Sequence, residues 1–199
     1  MNRDNIALLV VDGQNKYKCL MTKKEIQHMK SLVQYFRYKK KPVYFTQWSR
    51  CKTKYNCTRN HKKETIMNKI SFDQNWLNFY RREKTKKFKC PGKQCDIVDE
   101  LKIFSNINNT FVSNNMDSLM NRKLRNIIKK KRINHLYLVG GWGSHCILST
   151  AYGCINHYNI MPHIVKDAVF DMKKYKKAIH IVTESVIPGC TTKEVIENL

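Results

Sequence analysis

The hydrophobic positions of this chain follow a strand period and a helix period in turn. Residues 6–11 form an unbroken apolar run, Ile-Ala-Leu-Leu-Val-Val, which is typical of a central parallel strand covered on both faces. Residues 22–25, Thr-Lys-Lys-Glu, match a capping box and predict the start of a helix. The apolar side chains expected on the buried face of that helix are Ile26, Met29, Leu32, Val33 and Phe36.

The alternation continues to the end of the chain. Because strands and helices alternate, the predicted fold class is α/β: a three-layer α-β-α, Rossmann-like, mostly parallel sheet with helices on both faces. The helix expected at 146–158 would bury Ile147, Thr150, Ala151 and Ile155. The other predicted strands are 42–46, 110–112, 135–140 and 160–165, and the other predicted helices are 117–132, 173–184 and 192–199, with a short helix or turn at 96–101.

Residues 1–199 are expected to form a single domain, because the length suits one hydrophobic core. The least regular part is a basic excursion at about 47–92, where Lys and Arg occur throughout and one or two helices are expected.

The chain is strongly basic, with 38 Lys and Arg against 15 Asp and Glu and a formal net charge of +23. Such a surface favours an anionic partner, RNA or another polyanion. The alternative is compositional drift, because Lys and Asn are the residues that an AT-rich genome over-supplies. The segments 81–93 and 122–132 are the most basic, and they are either solvated surfaces or phosphate-contacting ones.

Eight cysteines are a high count for this length. The apolar run at 6–11 is too short to span a membrane, and the residues before it do not resemble a secretory signal. We therefore expect reduced thiols, a cytoplasmic location and no membrane partner.

Five residues offer either a loosely spaced zinc site or unpaired thiols with a histidine: Cys51, Cys57, His61, Cys90 and Cys95.

Ligands of such a sheet bind outside the carboxyl ends of its strands, so the residues that follow each strand matter most. Asp12 follows the first strand, and Lys166 and Asp167 follow the fifth. Cys146 begins a helix, whose dipole and free N–H groups would lower the pKa of its thiol and stabilise an oxyanion. A nearby carboxylate could take the thiol proton. The alternative is that Cys146 is a small buried hydrophobe and Asp12 an ordinary loop residue.

Several segments resemble one known family in the right order along nearly the whole chain. The most specific is 138–151, Leu-Val-Gly-Gly-Trp-Gly-Ser-His-Cys-Ile-Leu-Ser-Thr-Ala, which resembles that family's nucleophile segment. The others are 7–14, 41–47, 91–101, 166–168 and 188–195. The family is that of the isochorismatase-like cysteine hydrolases, which include nicotinamidases, N-carbamoyl amidohydrolases and isochorismatases. The resemblance implies hydrolysis of a small amide, carbamoyl or vinyl-ether substrate, and a homo-oligomer.

The resemblance also implies an Asp–Lys–Cys triad, with Asp12 as base and Cys146 as nucleophile. The family's lysine position falls on Ser113, which cannot supply a positive charge, and residues 105–119 contain neither Lys nor Arg. Another lysine, such as Lys16, Lys18 or Lys102, could reach the site. The alternative is a catalytically inactive family member that serves as a scaffold or as an RNA- or polyanion-binding subunit.

The loop before Cys146 bears on the choice between an active hydrolase and an inactive family member. In the family, the peptide bond that corresponds to Gly141–Trp142 is often cis and shapes the oxyanion hole. Trp142 would either stack on a flat substrate or fill the pocket, and the other expected substrate-binding residues are Gln14, Gly141 and Trp48. The metal-binding Asp-x-His…His cluster of nicotinamidases has no counterpart in residues 46–51, so we expect neither a metal nor a cofactor at the reaction centre. Asp12 and Cys146 together favour the enzyme.

Overall fold

The computed structural model describes residues 5–48, 95–113 and 115–199. Its strands form a six-stranded parallel sheet with the order β3-β2-β1-β4-β5-β6. The predicted α/β fold class is confirmed. The strands are β1 (Ile6–Val11), β2 (Val43–Trp48), β3 (Thr110–Ser113), β4 (His135–Gly140), β5 (Met161–Val169) and β6 (Gly189–Cys190).

The helices cover both faces of this sheet, which explains why β1 is apolar throughout. Ile6, Leu8 and Val10 pack in one cluster, whereas Ala7, Leu9 and Val11 pack in another on the opposite face. The helices are α1 (Lys23–Tyr38), α2 (Asp99–Lys102), α3 (Arg122–Lys130), α4 (Leu148–Gly153), α5 (Lys176–Ser185) and α6 (Thr192–Asn198), with 3-10 turns at Asn15–Leu20, Ser118–Met120 and Lys173–Tyr175. Helices α1, α2 and α6 contribute to the first cluster, and α3, α4 and α5 to the second.

The first helix forms as the sequence predicts. The Thr22 hydroxyl accepts the Glu25 N–H, and the Glu25 carboxylate accepts the Thr22 N–H, which completes the capping box. The five apolar side chains predicted for the inner face of α1 are all buried.

The continuous helix expected at 117–132 is wrong, because Asn121 divides it. The Asn121 side chain accepts the N–H groups of Lys123 and Leu124 and therefore caps a new helix. Its amide also donates to the Val112 carbonyl at 2.6 Å. A 3-10 turn and the shorter α3 replace the predicted element.

The expected burial of Ile155 is also wrong. Helix α4 lies between two π-helical turns, Gly143–Ile147 and Cys154–Tyr158, and each widens the repeat beyond that of an α-helix. Cys154 is therefore fully buried, whereas Ile155 is 43% exposed.

The fifth strand is longer than predicted, so Lys166 and Asp167 lie within it rather than after it. Asp167 accepts hydrogen bonds from the N–H and hydroxyl of Thr192, at 2.8 and 2.9 Å. Its other carboxylate oxygen lies 3.1 Å from His28 Nδ1. Asp167 therefore joins β5 to α1 and α6.

The basic excursion expected at 47–92 lies, beyond Trp48, outside the described residues. None of the helices in the described ranges is both long enough and apolar enough to cross a membrane.

Gly140 ends β4 beside the backbone of β1, and we expect Gly140→Ala to lower the free energy of unfolding by at least about 2 kcal/mol. Its φ is +99°, and a Cβ there would collide with the Val11 carbonyl oxygen. Urea unfolding measures the effect.

Gly13→Ala is the control, because its Cβ would meet side chains rather than backbone, Val10 at 3.2 Å and Leu101 at 3.9 Å. Equal losses from the two substitutions would contradict the steric argument.

Candidate active site

Two elements bring the predicted nucleophile and base to one edge of the sheet. The strand order turns back between β1 and β4, and Val11 pairs with Gly140 where the two strands end. Open sheets of this kind bind ligands at such a switch point. Asp12 follows β1 with a left-handed φ of 49°, which Asp tolerates better than most residues. Cys146 lies in the first turn after β4.

The Cys146 thiol and the Asp12 carboxylate face each other closely enough for each to shift the pKa of the other. The Thr46 hydroxyl donates to Asp12 Oδ1 at 3.1 Å and accepts the Asp12 N–H at 3.3 Å. Asp12 is 3% exposed, so its carboxylate is held by neighbouring groups rather than by bulk water. The thiol and the carboxylate are therefore positioned for proton transfer.

Burial raises the pKa of Asp12 from 3.8 to about 6. Four groups oppose this rise: the Cys146 thiol, the charge of Lys16, the Thr46 hydroxyl and the Trp48 backbone N–H. The carboxylate is consequently a stronger base than an exposed aspartate, and it still loses its proton near neutral pH.

Burial also raises the pKa of the Cys146 thiol well above its usual value, and the neighbouring Asp12 charge raises it further. The Trp142 backbone N–H and the charge of Lys16 act in the opposite direction. The lowered thiol pKa expected from the helix start is therefore wrong, because desolvation and the carboxylate outweigh the backbone donors. The resting pair consists of a neutral thiol and a base that can take its proton.

The loop that precedes Cys146 has the geometry that the family resemblance implied. The peptide bond between Gly141 and Trp142 is cis. The Gly143 N–H donates to the Phe170 carbonyl, and the Ser144 N–H donates to Asp171 at 2.6 Å. The N–H groups of those two residues are thus engaged, whereas the Trp142 N–H acts on the Cys146 sulfur.

Asp171 is a positioning residue that the sequence analysis missed. It is 3% exposed and fixes the start of the nucleophile loop through Ser144. It follows β5 after Phe170, so the rule that placed Asp12 would have found it had the end of β5 been predicted correctly.

Trp142 is buried rather than open to solvent, with 6% of its surface exposed. Its ring packs edge-on against Tyr17 at 5.8 Å and against His145 at 5.6 Å. Of the two roles expected for Trp142, the packing favours the filling of space. A contact of Trp142 or Gly141 with substrate stays a prediction.

Gln14 connects three chain segments around the site. It is fully buried, accepts the Trp48 N–H at 2.8 Å and donates to the Cys95 carbonyl at 2.7 Å. These bonds fix the loop after β1 against the end of β2. The substrate contacts expected for Gln14 and Trp48 stay predictions.

Ser113, at the family's lysine position, is buried at the end of β3. Its hydroxyl donates to the Asn115 carbonyl at 3.0 Å and accepts the Asn115 N–H at 3.2 Å. The side chain thus closes its own turn and brings no charge to the site.

The three lysines considered as replacements have different surroundings. Lys18 pairs with Glu100 at 2.7 Å, and Lys102 pairs with Asp96 at 2.9 Å, both at the surface. Lys16 donates instead to the Trp48 carbonyl at 2.9 Å, at the end of β2.

The candidate zinc ligands Cys51, Cys57, His61 and Cys90 lie outside the described residues. Within the described part of the chain, His, Cys, Asp and Glu form no group of three or more that could hold a metal ion.

The chain belongs to the isochorismatase family, because residues 6–193 match the model of the Isochorismatase domain. The resemblance inferred from the sequence motifs is therefore confirmed. No curated protein matches this sequence.

Solved structures share the fold at low sequence identity. A cysteine hydrolase from Pseudomonas syringae pv. phaseolicola 1448A is 14% identical, with a TM-score of 0.74 over 99% of this chain and 93% of that chain. N-carbamoylsarcosine amidase from Thermoplasma acidophilum is 18% identical, with a TM-score of 0.66 over 96% and 98%. The MAR1 ribonuclease from Caenorhabditis elegans is 17% identical, with a TM-score of 0.66 over 98% and 81%.

Asp12→Asn should raise the free energy of unfolding at pH 7 by up to about 3 kcal/mol. The folded pKa of Asp12, about 6, lies above its unfolded value, so stability is greatest below pH 4 and falls as pH rises through 6. Asn accepts the same hydroxyl and tolerates the same φ without this cost. Urea unfolding between pH 4 and pH 8 measures the difference, which should vanish at the acidic end.

Asp96→Asn is the control, since that carboxylate is exposed and paired with Lys102. A stability gain for Asp12→Asn that does not change with pH would contradict the assignment.

Proposed function

We propose that this protein hydrolyses a small amide or carbamoyl substrate, or a vinyl ether, through a covalent intermediate on Cys146. The observation that supports this most directly is that the Cys146 thiol faces the buried Asp12 carboxylate closely enough for each to shift the pKa of the other. A base whose pKa is about 6 suits catalysis near neutral pH.

For an amide the steps balance as follows. Asp12 takes the thiol proton while the sulfur attacks the carbonyl carbon, and the oxyanion faces the N–H groups of Trp142 and Cys146. Asp12 then gives its proton to the departing nitrogen, which leaves as an amine or ammonia and a thioester remains. A water molecule, deprotonated by Asp12, attacks the thioester, releases the acid and returns the proton to sulfur.

The pH dependence of Cys146 alkylation tests this proposal. Iodoacetamide is itself a small primary amide, and its reaction forms a C–S bond, expels iodide and passes the thiol proton to Asp12. We expect the rate to rise with pH through about 6, where Asp12 ionises. Mass spectrometry of the peptide that contains Cys146 measures the rate, with the exposed Cys19 in the same sample as an internal reference.

Asp12→Asn should slow this reaction at pH 7 by about 100-fold, because the general base is lost. The hydrolase proposal is contradicted if the pH profile of Cys146 alkylation is identical to that of Cys19 and is unchanged by Asp12→Asn. That result would favour the inactive family member. Ammonia release from primary amides and N-carbamoyl amino acids, with Cys146→Ser as the blank, then identifies the substrate class.

We also propose that a basic edge, away from the active site, binds a polyanion such as RNA. The basic edge consists of the exposed residues Lys39, Lys40, Lys130, Lys131 and Arg132. Lys39 and Lys40 precede β2 and the other three precede β4, so all five lie near the amino ends of the strands. The active site lies at the carboxyl ends. The likeness to a ribonuclease makes RNA the first polyanion to test.

Replacing Lys39, Lys130 and Lys131 by Gln should weaken binding of a short single-stranded RNA and lower the slope of log K against log[salt] by about 2. A variant with Lys23, Lys24 and Lys177 replaced by Gln removes the same charge from other exposed positions and is the control. Fluorescence anisotropy between low and physiological salt measures both. The proposal is contradicted if the basic-edge variant and the control variant give equal salt slopes, or if the wild-type protein does not bind the RNA at low salt.

A further inference from the structure

We infer that Lys16 supplies the positive charge that the family resemblance places at residue 113. The inference rests on the proposed hydrolase, and it makes Lys16 a positioning residue for the Asp12–Cys146 pair. A charge acts through its position in space, so the segment of the chain that contributes it is free to vary.

The geometry puts the Lys16 ammonium at the same edge of the sheet as residue 113. Lys16 Nζ donates to the Trp48 carbonyl at 2.9 Å. Trp48 is the last residue of β2, and it pairs with Ser113, the last residue of β3. The ammonium is thus fixed at the carboxyl ends of the same two strands.

One residue connects Lys16 with the carboxylate that it would support. The Trp48 carbonyl accepts from Lys16, and the Trp48 N–H, which donates to Gln14 at 2.8 Å, also lowers the pKa of the Asp12 carboxyl. Lys16 and Asp12 therefore approach the same residue of β2.

The turn that presents Lys16 is held at several points. Gln14 accepts the Trp48 N–H, and the Asn15 N–H donates to the Asp96 carbonyl at 2.9 Å. The ammonium also lies 4.7 Å from the centre of the Tyr17 ring, a distance suited to a cation–π contact. Lys16 is half-buried, so water screens its charge less than that of an exposed lysine.

The electrostatics agree with this placement. The Lys16 charge lowers the pKa of Asp12 and also that of the Cys146 thiol. A cation with this effect keeps the base ionised and stabilises the thiolate as it forms. Lys18 and Lys102, the other lysines considered, are paired with Glu100 and Asp96 at the surface.

The test compares Lys16→Met with Lys16→Arg by the pH profile of Cys146 alkylation. Met keeps the apolar stem without the charge, so the acid limb should move to higher pH by about 0.5–1 unit and the rate at pH 7 should fall several-fold. Arg keeps the charge and should stay close to the wild type. Lys18→Met, which removes the same charge two residues away, should leave the profile unchanged.

Two outcomes overturn the inference. In the first, Lys16→Met leaves the pH profile of Cys146 alkylation unchanged. In the second, Lys16→Met lowers the alkylation rate by the same factor at every pH and leaves the pH midpoint where it was, as expected if Lys16 only holds Trp48 in place. A failure of the proposed hydrolase function gives a different result. In that case the alkylation rate of the wild-type protein would not rise through pH 6, and Asp12→Asn would not change it.

A second variant moves the cation instead of removing it. Lys16→Met combined with Ser113→Lys places the charge at the family's own position and should return the midpoint toward the wild-type value. Because Ser113 is buried, thermal unfolding shows whether this double variant folds. If the double variant folds and the pH midpoint of Cys146 alkylation does not return, a charge at residue 113 is not equivalent to one at residue 16. If the double variant does not fold, the comparison of Lys16→Met with Lys16→Arg decides.

Discussion

A carboxylate deprived of water is the constraint on which this site depends. Asp12 is almost fully buried at the end of an apolar strand, and an aspartate there loses most of its hydration. The neighbouring groups compensate in part: a hydroxyl from β2, a backbone N–H from the same strand, a thiol from the loop after β4 and the Lys16 ammonium from the 3-10 turn after β1. Each of these groups is itself anchored by the sheet, so the doubly wound topology and the chemistry cannot be separated.

Much of this arrangement could be predicted from the sequence. The apolar run at 6–11 and the capping box at Thr22 each reflect a local pattern that the fold keeps. The position of Asp12 followed from a general rule, because a polar residue directly after a parallel strand lies at the edge where ligands bind. The family motif around Cys146 then indicated which side chain faces that carboxylate.

The failures arise where the outcome depends on features that the spacing of apolar residues does not encode. Ile155 would face inward on a regular α-helix, and π-helical turns, which the apolar spacing does not reveal, exposed it. The direction of the Cys146 pKa shift depended on burial, which a helix start alone does not reveal. The end of the apolar run places Asp167 after the fifth strand, although β5 continues through it.

The hydrogen bonds at the start of the nucleophile loop have one more consequence. A helix start ordinarily attracts anions from solution, because several N–H groups point outward together. Here the N–H groups of Gly143 and Ser144 are already satisfied by a carbonyl and by Asp171. Those two donors are therefore not open to chloride or phosphate from solution. In the proposed mechanism the negative charge forms beside the sulfur, so common salts should be poor competitors there.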